Sequence, residues 1–544
     1  MRMNLAEYLG RRLRQAGVEH LFGVPGDFNL TLLDHLNEVE GLAWVGSPNE
    51  LGAGYAADAY ARTRGLAALV TTYGVGELSC INAVAGSAAE DVPVVHVVGS
   101  PRTAAVQAGR LVHHTLADGV FDRFEHAYRQ ISVAVETVTA ERATEQIDAV
   151  LLAAITHRKP AYLSIPQDLA TLPVDPAPLA TPLAPVRDEA AALRLREALA
   201  NLFEDAVRPV LVVGHLVARF GLGAQVLQAA RSAGIPIVTT LAAKGVIDES
   251  DPLNHGVYAG TMVDARSAQL VAQADLVLEL GTVASDVLSG FFTHRPADER
   301  TLQVHATFSQ IGETSYPVHF ADAVQELAAL CSGVRFESVA APINPLLPDH
   351  EDEELTQENL WRAVQSWLPE GTALLADTGT AFWGAASLAF PDDTVFHAQP
   401  IWNSIGYALP ATLGQGLADP SRRPVLLIGD GAAQMTVQEL STIARYGLNP
   451  VILLLNNAGY TIERALQSPK AGYNDVAPWN WTALAESLVQ TPIHTRTVKT
   501  TTELRAALEE APSDQMVLIE AVLDPFDAPP LLRRLAELNN AGAE

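Results

Sequence analysis

The chain has 544 residues, 48% of them hydrophobic, and carries 35 Lys and Arg against 63 Asp and Glu, a formal charge of −28. That length allows about three domains, and that charge repels phosphate backbones and anionic lipid, which excludes nucleic acid and membrane surfaces as partners. The two cysteines, Cys80 and Cys331, have neither CxxC nor Cys/His ligand spacing, so the sequence offers no disulfide framework or structural zinc site and suits a reducing cytoplasm.

Taken in chain order, the opening MRMNLAEYLGRRLRQAG interrupts its apolar residues with Glu7, Arg11, Arg12 and Arg14, which predicts an amphipathic helix rather than a signal peptide. The first block, 1–170, then alternates short apolar runs (HLFGVPG, AALVTTYGVG, VPVVHVVGS) with helix-length segments. Next comes LATLPVDPAPLATPLAPVRDE, whose five prolines forbid regular helix and predict an extended linker. The second block, 190–335, repeats the alternation with PVLVVGH, IPIVTT and ADLVLELG, but LVARFGLG follows its first run in place of a GxGxxG phosphate loop, so a structural role is expected of it. A second linker is expected over 340–358, where Pro342, Pro345 and Pro348 precede an acidic stretch. The third block, 355–544, carries ALLADTG, VLLIGDG, VILLLNN and MVLIEAVL. Apolar runs of this length with glycine at their ends are the pattern of parallel strands buried on both faces. The expectation is three α/β domains, each a doubly wound parallel sheet, with ligands at the carboxyl ends of strands.

The strongest local signal is VLLIGDGAAQMTVQELSTIARYGLNPVILLLNNAGYTIE. One run ends in Gly429-Asp430-Gly431 and the next in Asn456-Asn457, with Asp430 and Asn457 27 positions apart, about one βαβ crossover. A carboxylate, an amide oxygen and a backbone carbonyl, that of Gly459, form a hard-cation set with room for diphosphate oxygens in a Mg2+ shell. Gly431 allows close approach of the phosphates, and the Ala432 and Ala433 amides at the helix start supply donors. Gly429 and Tyr460 flank these positions and are assigned to the same cofactor site. Either dipeptide alone reads as an ordinary turn; the pairing points to a site.

GDG through NN, followed by GYTIE, resembles the signature of thiamine diphosphate enzymes, and in this form it is similar to pyruvate decarboxylase and its relatives acting on indolepyruvate and branched-chain 2-oxo acids. The resemblance runs through GVPGDFNL, PNELGAGYAADAYAR, LVHHTL, KGVIDE, GVYAGT, ADTGT, WNSIGYALP and YNDVAPWNWT. It implies thiamine diphosphate and Mg2+ as cofactors, a pyrimidine-binding first domain, a Rossmann-like middle domain, a diphosphate-binding third domain and non-oxidative decarboxylation of a 2-oxo acid to an aldehyde. It further implies that Glu50 hydrogen-bonds the aminopyrimidine, that Ile405 props the bent cofactor and that Thr380 lies near the pyrimidine. Asp27, His113 and His114 then orient intermediates and supply the proton after carbon dioxide leaves, with His114 expected to contact the substrate. Glu463, on the first turn of a helix, is expected to assist addition, decarboxylation and release, its protonation tuned by Asp27. A homodimer or homotetramer follows from the resemblance, with Glu50 and Asp430 of one site on different subunits.

Matching SDVLSGFFTH to the family puts Val287 where the ethanol-forming enzymes carry Tyr or Phe, with Phe382, Ile462 and Leu466 completing an apolar wall that Phe291 and Phe292 could refill. The smaller Val287 favours branched-chain or aromatic 2-oxo acids over pyruvate. Two rival readings are a carboligase of the acetolactate synthase kind and a subunit that keeps the fold without the chemistry. The His113-His114 pair with Glu463 argues against the first, and the intact set of polar residues against the second.

Overall fold

A computed structural model of the protein describes residues 3–337, 341 and 354–541. Pro342, Pro345 and Pro348 of the expected second linker lie outside the described residues. Contacts divide the chain into two units, one built from the chain up to Val186 together with Pro410–Pro420, the other from Arg187–Leu409 and the chain from Ser421 onward.

The first unit opens on the helix Leu5–Gln15, capped by the Asn4 side chain, which accepts from the Glu7 N–H at 2.8 Å. Its core sheet has six parallel strands: β1 His20–Gly23, β2 Ala43–Gly46, β3 Ala67–Thr72, β4 Val94–Ser100, β5 Val135–Thr137 and β6 Ala161–Pro166. Their order is β2-β1-β3-β4-β6-β5. β3, β4 and β6 are buried along their whole length, as continuous apolar runs require.

The proline-rich linker is tied down. Pro173–Val174 pairs antiparallel with Met3–Asn4, and the buried Arg12 guanidinium donates to the Pro178 and Thr181 carbonyls while pairing with Asp148 at 2.7 Å. Prolines lack an N–H, and here the linker's carbonyls find a side-chain donor. The segment Pro410–Pro420 packs against this unit so closely that a Cβ on Gly414 would fall 1.9 Å from the Ala56 carbonyl oxygen, while Thr63 Oγ1 donates to Gln415 Oε1 at 2.5 Å.

The second unit contains two sheets. One has β7 Pro209–Val213, β8 Ile237–Thr239, β9 Asn254–Val257, β10 Leu276–Leu280, β11 Thr301–Val304, β12 Ser309–Ile311 and β13 Thr314–Tyr316, ordered β9-β8-β7-β10-β11-β12-β13. Its first five strands in that order are parallel; β12 and β13 run antiparallel and close one edge as a hairpin. Sequence reading expected parallel strands throughout, and these three-residue strands are too short to announce themselves by periodicity.

The other sheet has six parallel strands: β14 Ala373–Ala376, β15 Val395–His397, β16 Pro424–Gly429, β17 Val451–Asn456, β18 Ile493–Val498 and β19 Met516–Val522. Their order is β15-β14-β16-β17-β19-β18. Each six-stranded sheet reverses direction between its first and third strands, and that switch point is where an open parallel sheet leaves a crevice at its carboxyl edge.

Candidate active site

At the carboxyl edge of the β14–β19 sheet, β16 ends at Gly429 and Asp430 opens the helix Asp430–Thr436, while β17 ends at Asn456 and leads into Asn457. The Asn457 side-chain oxygen faces the Gly459 carbonyl at 2.7 Å and Asp430 Oδ1 at 3.2 Å; its nitrogen faces Thr461 Oγ1 at 3.1 Å. Turned over, the amide would donate to both oxygens and accept from Thr461. The Thr461 hydroxyl, however, gives its own proton to the Pro525 carbonyl at 2.8 Å and can therefore only accept from Asn457. The amide nitrogen belongs on the Thr461 side, and three oxygen acceptors converge on one point. They repel one another unless a cation lies among them, and a carboxylate, an amide oxygen and a backbone carbonyl are the donors of a hard divalent ion. Burial pushes the Asp430 carboxyl up to about 6, against the pull of the Gly431 and Gly459 amides and Arg464; a bound cation favours its ionised form.

The loop that offers Gly459 is held from several sides. Gly459 has φ +136°, and a Cβ there would sit 2.0 Å from the Asn474 carbonyl oxygen, so only glycine fits. Tyr460 N–H donates to that same carbonyl at 2.8 Å, and the Tyr460 ring packs against Gly431. The buried Arg464 donates to the Asn457, Ala458 and Pro525 carbonyls and to Asp475 Oδ1. Arg464 was not singled out from the sequence; a buried arginine serving backbone carbonyls leaves no local pattern.

Ala432 and Ala433 are buried in the first turn of the helix Asp430–Thr436, beside the oxygen set. Thr380 is buried as the first residue of the helix Thr380–Ala385. Ile405 is half-buried in a turn fixed by Asp377, whose two oxygens accept from Gly406 N–H at 3.0 Å and Ala408 N–H at 2.8 Å. Burial pushes the Asp377 carboxyl up to about 7. The same turn is tied to the Asp430 helix, because Thr436 Oγ1 donates to the Gly406 carbonyl at 2.8 Å. Asp377 lies inside the ADTGT motif, from which the sequence reading singles out Thr380 alone. Its position directly after a buried strand was the available signal.

Glu463 is exposed on the first turn of the helix Thr461–Leu466. Phe382 belongs to a buried apolar cluster with Leu532 and Leu535 of the helix Pro530–Ala541, and the partly buried Val287, Phe291 and Ile462 pack against it. Leu466 is not part of that cluster, and Phe292 is 66% exposed.

In the first unit, Glu50 is half-buried at the start of the helix Glu50–Arg64, which Asn49 caps by accepting from Gly52 N–H at 2.8 Å. Asp27, four residues beyond β1, lies against His113 with Oδ2 2.8 Å from Nε2. His113 stacks on Phe28 with ring centroids 4.8 Å apart, and His114 stands edge-on to both rings. One ligand-type atom from each of Asp27, His113 and His114 lies within 4.8 Å of the others. His113 is exposed and His114 half-buried, with φ +61° and no hydrogen-bond partner for Nδ1. Asp27 and the adjacent pair His113-His114, 86 positions away in sequence, thus meet as one cluster of a carboxylate and two imidazoles.

Comparison with known proteins shows the family. Three family signatures match in succession: thiamine pyrophosphate enzyme, N-terminal TPP binding domain, over residues 3–125; the central domain over 196–330; and the C-terminal TPP binding domain over 377–521. Similar proteins named alpha-keto-acid decarboxylase occur in Mycobacterium avium (strain 104), 43% identical over 540 residues, and in Mycolicibacterium paratuberculosis, 42% identical over 540, each alignment covering 98% of this chain and 96% of the relative. Another, from Mycobacterium tuberculosis (strain ATCC 25618 / H37Rv), is 41% identical over 545 residues with the same coverage. The chain belongs to the thiamine pyrophosphate-dependent 2-oxo acid decarboxylase family.

Proposed function

We propose that this carboxy-lyase removes carbon dioxide, without oxidation, from a branched-chain or aromatic 2-oxo acid and releases the aldehyde, accepting pyruvate more weakly. The convergence of the Asp430, Asn457 and Gly459 oxygens carries the cofactor half of this reading. These three would hold Mg2+, and the residues from Gly429 to Ala433 with Tyr460 would surround the diphosphate. Glu50, Thr380 and Ile405 would hold and activate the pyrimidine. Bound thiamine diphosphate supplies the electron sink for the pair of electrons left when carbon dioxide departs. The carbon that loses carbon dioxide must gain a proton, and the Asp27–His113–His114 cluster is the donor set. His113 is engaged by Asp27 through Nε2, which leaves His114 to contact the substrate. Glu463 assists decarboxylation and aldehyde release.

The substrate half rests on Val287 and Ile462 packing against the apolar cluster that holds Phe382. Each extra methylene buried there contributes about 0.8 kcal/mol, which favours longer chains. The 1–170, 190–335 and 355–544 blocks serve as pyrimidine-binding, structural and diphosphate-binding domains of a homodimer or homotetramer working in the cytoplasm. Among the described residues no helix is long and apolar enough to cross a membrane.

The test offers pyruvate, 3-methyl-2-oxobutanoate, phenylpyruvate and indolepyruvate separately to protein loaded with thiamine diphosphate and Mg2+, following aldehyde and carbon dioxide. Higher kcat/KM for the larger acids is expected, shifting toward pyruvate in Val287→Phe. Carbon dioxide without aldehyde would indicate carboligation instead, and preference for pyruvate in the unaltered protein would refute the substrate reading.

A further inference from the structure

Between Glu50 and the histidine pair lies a four-residue segment, Gly74–Glu77, that touches both. At one end Gly74 has φ +68° and meets the His114 backbone so closely that a Cβ would fall 2.0 Å from the His114 carbonyl oxygen. Two residues on, a Cβ on Gly76 would lie 3.3 Å from Glu50 Oε1. The segment is therefore a spacer with the proposed cofactor-activating carboxylate on one side and the proposed proton donor on the other.

What fixes the spacer is Glu77. Its Oε1 accepts from Gly74 N–H at 2.6 Å and its Oε2 from the Tyr162 hydroxyl at 2.7 Å, so the carboxylate folds back on the start of its own turn and pins it to β6. The backbone carbonyl of Glu77 accepts from the Tyr128 hydroxyl at 2.6 Å. Tyr128 and Tyr162 pack together with ring centroids 4.7 Å apart, and both are buried. Glu77 itself has no exposed surface. Removing its carboxylate strands the Gly74 N–H and the Tyr162 hydroxyl in the interior, and buried donors seek new partners by moving the backbone that carries them.

We propose that Glu77 is a positioning residue for decarboxylation, setting Glu50 and His114 in place together through the Gly74–Glu77 spacer. It touches neither cofactor nor substrate. The proposal rests on the roles given above to Glu50 and His114. Displacement of a reacting group by about 1 Å can cost on the order of 10²-fold in rate while leaving binding intact.

The test uses full-length protein loaded with thiamine diphosphate and Mg2+, with rates expressed per cofactor-loaded subunit. Glu77→Ala should lower kcat about tenfold or more with KM for the oxo acid changed less than about threefold. Glu77→Gln, whose amide oxygen can still accept from Gly74 N–H, should recover most of that rate. A Glu77→Ala protein with a lowered melting temperature but undiminished kcat would show a merely structural role and overturn the proposal, as would a Gln variant as slow as the Ala one. If Glu77→Ala yields no folded protein, Tyr162→Phe frees one carboxylate oxygen while sparing the Gly74 contact: a fall in kcat at constant KM is expected, and unchanged kcat overturns the proposal. Wild-type protein inactive on every oxo acid would defeat the functional reading; active wild type beside an unimpaired Glu77→Ala defeats only the positioning role.

Discussion

The β1–β6 and β14–β19 sheets have the same strand order, second-first-third-fourth-sixth-fifth, and both carry an aspartate just after the first strand. In one, Asp27 is exposed and engages a histidine; in the other, Asp377 is wholly buried and engages backbone amides. After the third strand the divergence is as sharp, with Gly74–Glu77 packed against acid–base groups in one and Asp430 facing the oxygen set in the other. One topology thus supplies two crevices, and under the proposed function the residues placed at the strand ends give one of them protons to handle and the other a cation to hold.

The largest break in that comparison should come from Asp430→Ala. Loss of a direct ligand should exceed the about 10–100-fold that removal of an outer-shell partner costs, and cofactor retention after gel filtration should fall with activity. Chelation by EDTA should release the cofactor from the unaltered protein while leaving the Asp27 cluster folded. Asp27→Asn should act on the other crevice alone, lowering kcat by about 10²–10⁴-fold with Mg2+ and cofactor affinities unchanged in a binding titration. Arg464→Met should sharpen the distinction by weakening Mg2+ affinity about 10–100-fold through the Asn457 and Gly459 loop, measured with excess thiamine diphosphate.

The smallest effect concerns stability and pH. Burial raises the folded-state pKa of Asp377 to about 7, so the folded protein binds the extra proton. Its contribution is fully present below the unfolded pKa of about 4 and is lost as pH rises toward 7. Asp377→Asn, which places an amide donor against a backbone donor, should destabilise by about 1–3 kcal/mol and flatten the melting-temperature profile between about pH 4 and 7.

The Asp430, Asn457 and Gly459 set could be read from sequence because each lies at the end of a conspicuous apolar run, and a βαβ crossover brings such ends together. Asp377 directly follows a buried strand and carries the same signal, whereas Arg464 and Glu77 could not be read in that way. Their partners are the Pro525 carbonyl for one and the Gly74 N–H with the Tyr162 hydroxyl for the other, assembled by the tertiary fold. The Asp27–His113–His114 cluster and the Val287–Phe382–Ile462 grouping were anticipated through family resemblance, since nothing in their spacing predicts proximity. The short hairpin at the edge of the middle sheet escaped because its strands are too brief to show a period.

The Pro410–Pro420 segment bears on the order in which the chain can mature. A ribosome has released the whole β1–β6 sheet by residue 166, but the surface around Ala56 and Thr63 gains its cover only when residue 420 emerges. During that interval the nascent first unit carries an open seam, and a fragment cut at residue 186 would keep it permanently. Synthesis from the amino terminus and completion of the amino-terminal unit are therefore separate events, divided by the stretch Arg187–Leu409, about two-fifths of the protein.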